Sequence, residues 1–193
     1  MDTLHTLLAE LEHFGKTNDA SAAGRERKML NITPDTGEFL RVLILAMNAQ
    51  RVLEIGTSNG YSTLWLGLAA AQTGGHVRTV ELSEYKIKLA AQNFARSGLA
   101  QWITQLHDDA GHALAQCGAG EIDLLFLDSE RKEYAGWWSD IKRVLRPGGL
   151  LVVDNATSHA SEMQPFVDVV KADDDFATSL VPVGNGEFMA VKR

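Results

Sequence analysis

Leu4, Leu7, Leu8, Leu11 and Phe14 recur at intervals of three and four, the spacing that puts side chains on one face of an α-helix. The first fifteen residues are therefore predicted to form an amphipathic helix that covers the domain or contacts another subunit, with Gly15 ending it. Residues 16–28 are polar, include Gly24, Arg25, Arg27 and Lys28, and read as a mobile connection carrying solvated charge. A second stripe of Phe39, Leu40, Leu43, Ile44 and Met47 predicts another helix, started by Thr33 or Pro34. At Arg51 the pattern changes. Val52, Leu53 and Ile55 form a short apolar run without alternation, as suits a strand buried on both faces of a parallel sheet.

The same unit, a short apolar strand ending in an acid and then a helix, repeats along the chain. HVRTVEL ends at Glu81, and the helix after it is buried through Leu89, Ala90, Phe94 and Ala95 and closed by Gly98. WITQLHDDA ends in acids that include Asp109, followed by Ala110. IDLLFLD ends at Asp128, and LLVVDN ends at Asp154 and Asn155. FATSLVPV and GEFMAVKR flank Gly184-Asn185-Gly186 as a hairpin. Together these elements predict an α/β, Rossmann-like fold: a seven-stranded, mostly parallel sheet with an antiparallel C-terminal hairpin strand and helices on both faces. Residues 1–193 are expected to form one domain, with N-terminal helices over 1–47 and the core over 51–193.

Charge and cysteine content narrow the partners. A net charge of −7 without a basic run argues against nucleic acid and for a small molecule. The single cysteine, Cys117, excludes an internal disulfide and a zinc cluster of cysteines. With no basic leader and no apolar run near the ~18 residues that span a membrane, a cytoplasmic protein without membrane association is expected.

Strand ends in a parallel sheet face one crevice, so the acids converge there. Glu54 is expensive to bury unpaired and is expected at its strand's carboxyl end, facing that crevice. Gly56 and Gly60 let the backbone turn close to a ligand, and Ser62 and Thr63 open the next helix. Glu81, about twenty residues beyond the turn, can accept both hydroxyls of a ribose. Ser58 stands where a dinucleotide fingerprint has its second glycine, which weighs against an oxidoreductase. Asp128, Asp154 and Asn155 are hard oxygen donors suited to a divalent ion such as Mg2+. His107 and His112 show no metal-ligand spacing and read as solvent or loop residues, and His159, just past Asn155, reads as a solvated loop residue, with contact to the acceptor as the alternative.

The E-x-G-x-x-x-G run from Glu54 to Gly60 resembles motif I of class I methyltransferases that use S-adenosyl-L-methionine. Asp128 and Tyr134 in D-x-x-x-x-x-Y spacing, P-G-G-L-L-V-V-D-N, and the closing V-P-V-G-N-G-E-F-M-A-V-K-R resemble the metal-dependent catechol and caffeoyl-CoA O-methyltransferases, over roughly residues 29–193. The resemblance implies methyl transfer to a hydroxyl of a small phenolic or catechol-like acceptor. It implies cofactor contacts from Leu30 and Ile32 at the sulfonium end, from Gly56, Ser58, Gly60, Tyr61 and Ser62 at the turn, and from Glu81 at the ribose. Asp109, Ala110, Asp128 and Ser129 would border the adenine side, and Asp128, Asp154 and Asn155 would hold the metal. One position departs. The family's proton-accepting lysine is here Arg131, with Lys132 beside it, and arginine stays protonated and cannot be that base. Lys132 reaching in, the metal alone acidifying the hydroxyl, or a different acceptor are the routes left, and the metal route is favoured. Arg131 could also stabilise an ionised phenolate. A metal-independent methyltransferase and a non-catalytic cofactor-binding protein are the alternatives. Little chain is left for a lid, so the acceptor site is expected open or completed by a neighbouring subunit of a homodimer.

Overall fold

A computed structural model describes residues 2–193. Five strands, β1 (Arg51–Ile55), β2 (His76–Glu81), β3 (Ile103–His107), β4 (Ile122–Leu127) and β5 (Leu145–Val153), run parallel. β7 (Glu187–Lys192) lies antiparallel between β5 and β6 (Phe176–Val181), giving the order β3-β2-β1-β4-β5-β7-β6. This is the Rossmann-like, seven-stranded mixed sheet that the sequence predicts.

Strand parity sorts the core into two layers. Val52, Val77, Leu124, Phe126, Leu150 and Val152 share one core with α1 (Asp2–Ser21), α2 (Pro34–Met47), α3 (Tyr61–Thr73) and α4 (Glu84–Ser97). Their neighbours Leu53, Ile55, Val80, Leu125, Leu127, Leu151 and Val153 share the other with α5 (Ala110–Gln116), α6 (Trp138–Val144) and α7 (Ala160–Lys171). None of the described helices is long and apolar enough to cross a membrane.

Two local readings are corrected. Gly15 does not end α1, which runs on to Ser21. The missing Cβ instead makes room for Asn31, whose Nδ2 would lie 2.6 Å from it and which donates to the Leu11 carbonyl at 3.0 Å. Residues 16–28 are likewise not a loose connection. Asp19, near the end of α1, accepts the backbone N–H of Met29 at 2.7 Å and of Leu30 at 2.8 Å. Arg25–Arg27 form a 3-10 turn, and Arg27 sits 4.6 Å over the ring of Tyr85 on α4. The segment is thereby laid across the carboxyl ends of the strands, where it forms one wall of a cavity.

Candidate active site

The cavity, of about 1380 Å3, lies over the carboxyl ends of the parallel strands. That volume accommodates a nucleoside with an amino-acid tail and a second small molecule. Its floor begins at the turn after β1. Gly56 has φ 109°, and a Cβ there would overlap the Asp128 carbonyl oxygen. Ser58 also has a positive φ, 49°, and its Oγ donates to the Met29 carbonyl at 2.6 Å, pinning the turn to the N-terminal wall. A glycine at this position would open a passage for a pyrophosphate. The serine closes it with its own side chain.

Glu81 holds the turn from the other side. Its two carboxylate oxygens accept the backbone N–H groups of Ser58 and Ser83, each at 2.9 Å. Each oxygen keeps a further acceptor position, the pair that two vicinal hydroxyls require. Asp109 caps α5 through the His112 N–H at 3.0 Å and, with Ala110, lines the cavity beyond Glu81. Ser129 lines it from the loop after β4, held there by its backbone N–H, which donates to Tyr134 Oη at 2.6 Å. Leu30, Ile32, Tyr61 and Ser62 complete the wall near the turn. Leu30 is half exposed with φ 51°, whereas Ile32 also packs into the core.

Three expected site residues lie elsewhere. Glu54 is wholly buried and does not face the cavity. It has the parity of Val52, so it points beneath α3, where it accepts Ser62 Oγ and Thr63 Oγ1 at 2.5 Å each and Thr79 Oγ1 at 2.6 Å. Burial pushes its carboxyl up to about 7 against those three donors. Glu54 therefore braces the turn from inside. Gly60, with φ 87°, caps α3 and packs on α4, and a Cβ there would lie 2.6 Å from the Phe94 ring. Lys132 is exposed and outside the cavity, because the 3-10 turn Arg131–Glu133 sends Arg131 inward and its neighbour out. His107 and His112 are exposed and tied to the Leu82 carbonyl and to Asp108.

Replacing Glu54 by Ala would strand the buried hydroxyls of Ser62 and Thr63, while Thr79 Oγ1 keeps Thr57 Oγ1 at 2.5 Å. At roughly 1–3 kcal/mol for each orphaned group, Glu54→Ala is expected to lower unfolding stability by about 2 kcal/mol or more. Glu54→Gln is expected to lose less, as read by denaturant titration.

Asp128, Asp154 and Asn155 do converge. Asn155 Nδ2 donates to Asp128 Oδ1 at 3.2 Å and to Asp154 Oδ2 at 3.0 Å, while Asp154 Oδ1 accepts the Asn155 N–H at 2.6 Å. Burial, then the charges of Asp154 and Glu54, raise the Asp128 carboxyl well above the ordinary range. Burial also raises Asp154. Two mutually repelling carboxylates bridged by an amide form a locus that a cation would relieve. Turning the amide presents its oxygen instead. Among the described residues no group of three or more Asp, Glu, His or Cys side chains converges in metal-binding geometry. Two carboxylates and an amide suit a hard ion that keeps several waters.

Two residues beside this cluster carry no simple sequence signal. Glu187 opens β7, is wholly buried, and accepts Thr36 Oγ1 at 2.9 Å while pairing with Asp154. Glu162 on α7 lines the cavity and accepts Arg131 Nε at 3.0 Å.

An open α/β sheet with a braced glycine turn, an acid at the end of β2 and a carboxylate cluster just past β4 and β5 places these groups in the crevice where sheets of this kind bind ligands. The chain matches the O-methyltransferase family over residues 2–193, and it belongs to that family. It is 32% identical over 142 residues, 72% of its length, to the catechol O-methyltransferase of Niastella koreensis. It is also 32% identical over 136 residues, 70% of its length, to that of Mycobacterium tuberculosis. The matched stretches span 63% and 61% of those relatives. The fold is shared with the O-methyltransferase of Bacillus cereus in complex with SAH, at a TM-score of 0.81 over 97% of this chain and 91% of that one, with 24% identity.

Proposed function

We propose that the protein transfers a methyl group from S-adenosyl-L-methionine to a hydroxyl of a small phenolic or catechol-like acceptor, assisted by a divalent cation, magnesium being the natural candidate. The observation that carries this reading is the convergence, in one cavity, of the Ser58–Glu81 brace with the Asp128, Asp154 and Asn155 cluster. The two catechol O-methyltransferase relatives and the SAH-bound fold neighbour support it.

Glu81 is suited to accept the ribose hydroxyls, with Asp109, Ala110 and Ser129 along the base. Ser58, Tyr61, Leu30 and Ile32 border the methionine end. The bound sulfonium supplies an activated methyl group and a good leaving group. Asp128, Asp154 and Asn155 would hold the cation, which supplies charge stabilisation to the acceptor oxygen. What the chain itself contributes is alignment of two reactants, an effect that can reach roughly 7–11 kcal/mol.

Calorimetry on the full chain is expected to show binding of S-adenosylmethionine and S-adenosylhomocysteine and none of NAD. Turnover on a catechol panel is expected to fall with chelator and return with magnesium. NAD binding would favour an oxidoreductase, and chelator-insensitive turnover would remove the cation.

A further inference from the structure

We infer that Arg131 makes the acceptor site selective for hydroxyls that arrive already ionised, phenols acidified by an electron-withdrawing substituent and bound as oxyanions. The inference rests on the methyl-transfer reading above and specifies its acceptor class.

Arg131 is only 8% exposed although it carries a permanent charge. It opens the 3-10 turn four residues past the end of β4, and its guanidinium is anchored at one corner, where Nε donates to Glu162 on α7. Its two terminal nitrogens have no hydrogen-bond partner among the described residues, and the residue lines the cavity beside Asp128, Asp154 and His159. A desolvated guanidinium held at Nε with both terminal nitrogens free presents a planar fork, which binds oxyanions with two parallel hydrogen bonds.

No surrounding carboxyl among the described residues takes a hydrogen bond from that fork, although its charge lies close enough to Asp128 and Asp154 to draw both carboxyls down. Glu162 is occupied by Nε, and Asp128 and Asp154 form the proposed cation cluster. Glu130 at the cavity mouth lies 3.9 Å from Arg25, and Glu133 lines the same rim. Lys132 is exposed and lies outside the cavity. His159 is the remaining candidate base, and its Nδ1 is shared with Ser158 Oγ at 3.0 Å.

An acceptor that has already released its proton to solvent needs no base. Its oxygen lone pair forms the O–CH3 bond as the S–CH3 bond breaks, the sulfonium becomes a neutral thioether, and no proton remains to be moved. The family's lysine would take a proton from a neutral hydroxyl. The arginine here holds an anion.

The test uses the full chain with S-adenosylhomocysteine and a nitro-substituted catechol, whose visible absorption reports ionisation, with and without magnesium. In the wild type the phenolate band is expected at a pH about one unit below that of the free ligand, the shift a ten-fold preference for the anion produces. Arg131→Gln is expected to lose that shift and about ten-fold in affinity even with magnesium present, whereas Arg131→Lys, which keeps the charge, retains part of both. In turnover, Arg131→Lys is expected to move preference toward unsubstituted catechol. A band unchanged in Arg131→Gln would overturn the inference and assign ionisation to the cation. Equal use of both catechols, abolished by His159→Gln, would overturn it in favour of a histidine base. Failure to bind S-adenosylhomocysteine would sink the methyl-transfer reading instead.

Discussion

Asp154→Ala is expected to lower turnover on a catechol acceptor by roughly 10²–10³-fold, the scale for removing one preorganised electrostatic stabiliser. Binding of S-adenosylhomocysteine is expected to stay within a few-fold. The separation follows from where the groups sit. Glu81, Ser58 and Asp109 come from β2, the turn after β1 and the start of α5, whereas Asp154 follows β5. Asp154 is 3% exposed and orders the Asn155 backbone and amide, so its loss scatters two of the three proposed cation donors at once. The same truncation leaves Glu187 without its partner, and a loss of folding would imitate a loss of catalysis. Asp154→Asn, which keeps shape and removes charge, separates the two. It is expected to melt near the wild type and yet bind Mn2+, followed by its paramagnetic resonance, far more weakly. Unchanged turnover in either folded variant would take the cation out of the mechanism.

The sheet is legible because short, largely apolar stretches recur along the chain and four of them close on an acid or amide, at Glu81, Asp108, Asp128 and Asp154, ends that a parallel sheet gathers. What the acid-at-a-strand-end pattern does not convey is depth. Glu54 and Glu81 lie on the same face of the sheet, but in the β1–β2 register Glu54 is opposite Thr79, two residues short of Glu81, so Glu54 stays inside the α3 layer while Glu81 stands at the end of its strand. The signal was present in Ser62 and Thr63, two hydroxyls eight and nine residues later on an otherwise apolar helix, and in Thr79, opposite Glu54 in the β1–β2 register. The polar N-terminal stretch is opaque in sequence for a related reason. Its polarity serves intramolecular bonds, Asp19 to the Met29 and Leu30 amides and Asn31 to the α1 backbone, rather than solvent. Lys132 and Arg131 are adjacent in sequence, and only the direction of a three-residue turn decides which one reaches the site. Glu187 directly follows the hairpin glycines and lies 151 residues from Thr36, whose hydroxyl it accepts, so no local pattern marks it.

Glu187 also carries the second large expected effect, a gain in stability on removing a charge-capable group. Burial first, and then the charge of Asp154, push its carboxyl from the ordinary 4.5 to about 9. The native state thus keeps a proton that the unfolded chain releases above about pH 4.5. Across the interval up to about pH 9 the unfolded state binds fewer protons, so this group's contribution is full below the lower value and declines as pH rises toward the upper one. Glu187→Gln keeps the shape, accepts from Thr36 through its oxygen and donates to Asp154 through its nitrogen, and has no proton to release on unfolding. The variant is expected to be more stable than the wild type at about pH 8, by on the order of a few kcal/mol, with the advantage vanishing near pH 5. Glu187→Leu removes both hydrogen bonds and is expected to lose stability at both pH values, since Thr36 and Asp154 are then buried without it. Melting curves at the two pH values decide the matter. A Gln variant weakened equally at both would mean that Glu187 is ionised in the native protein and that its charge, rather than its proton, holds Asp154 in place.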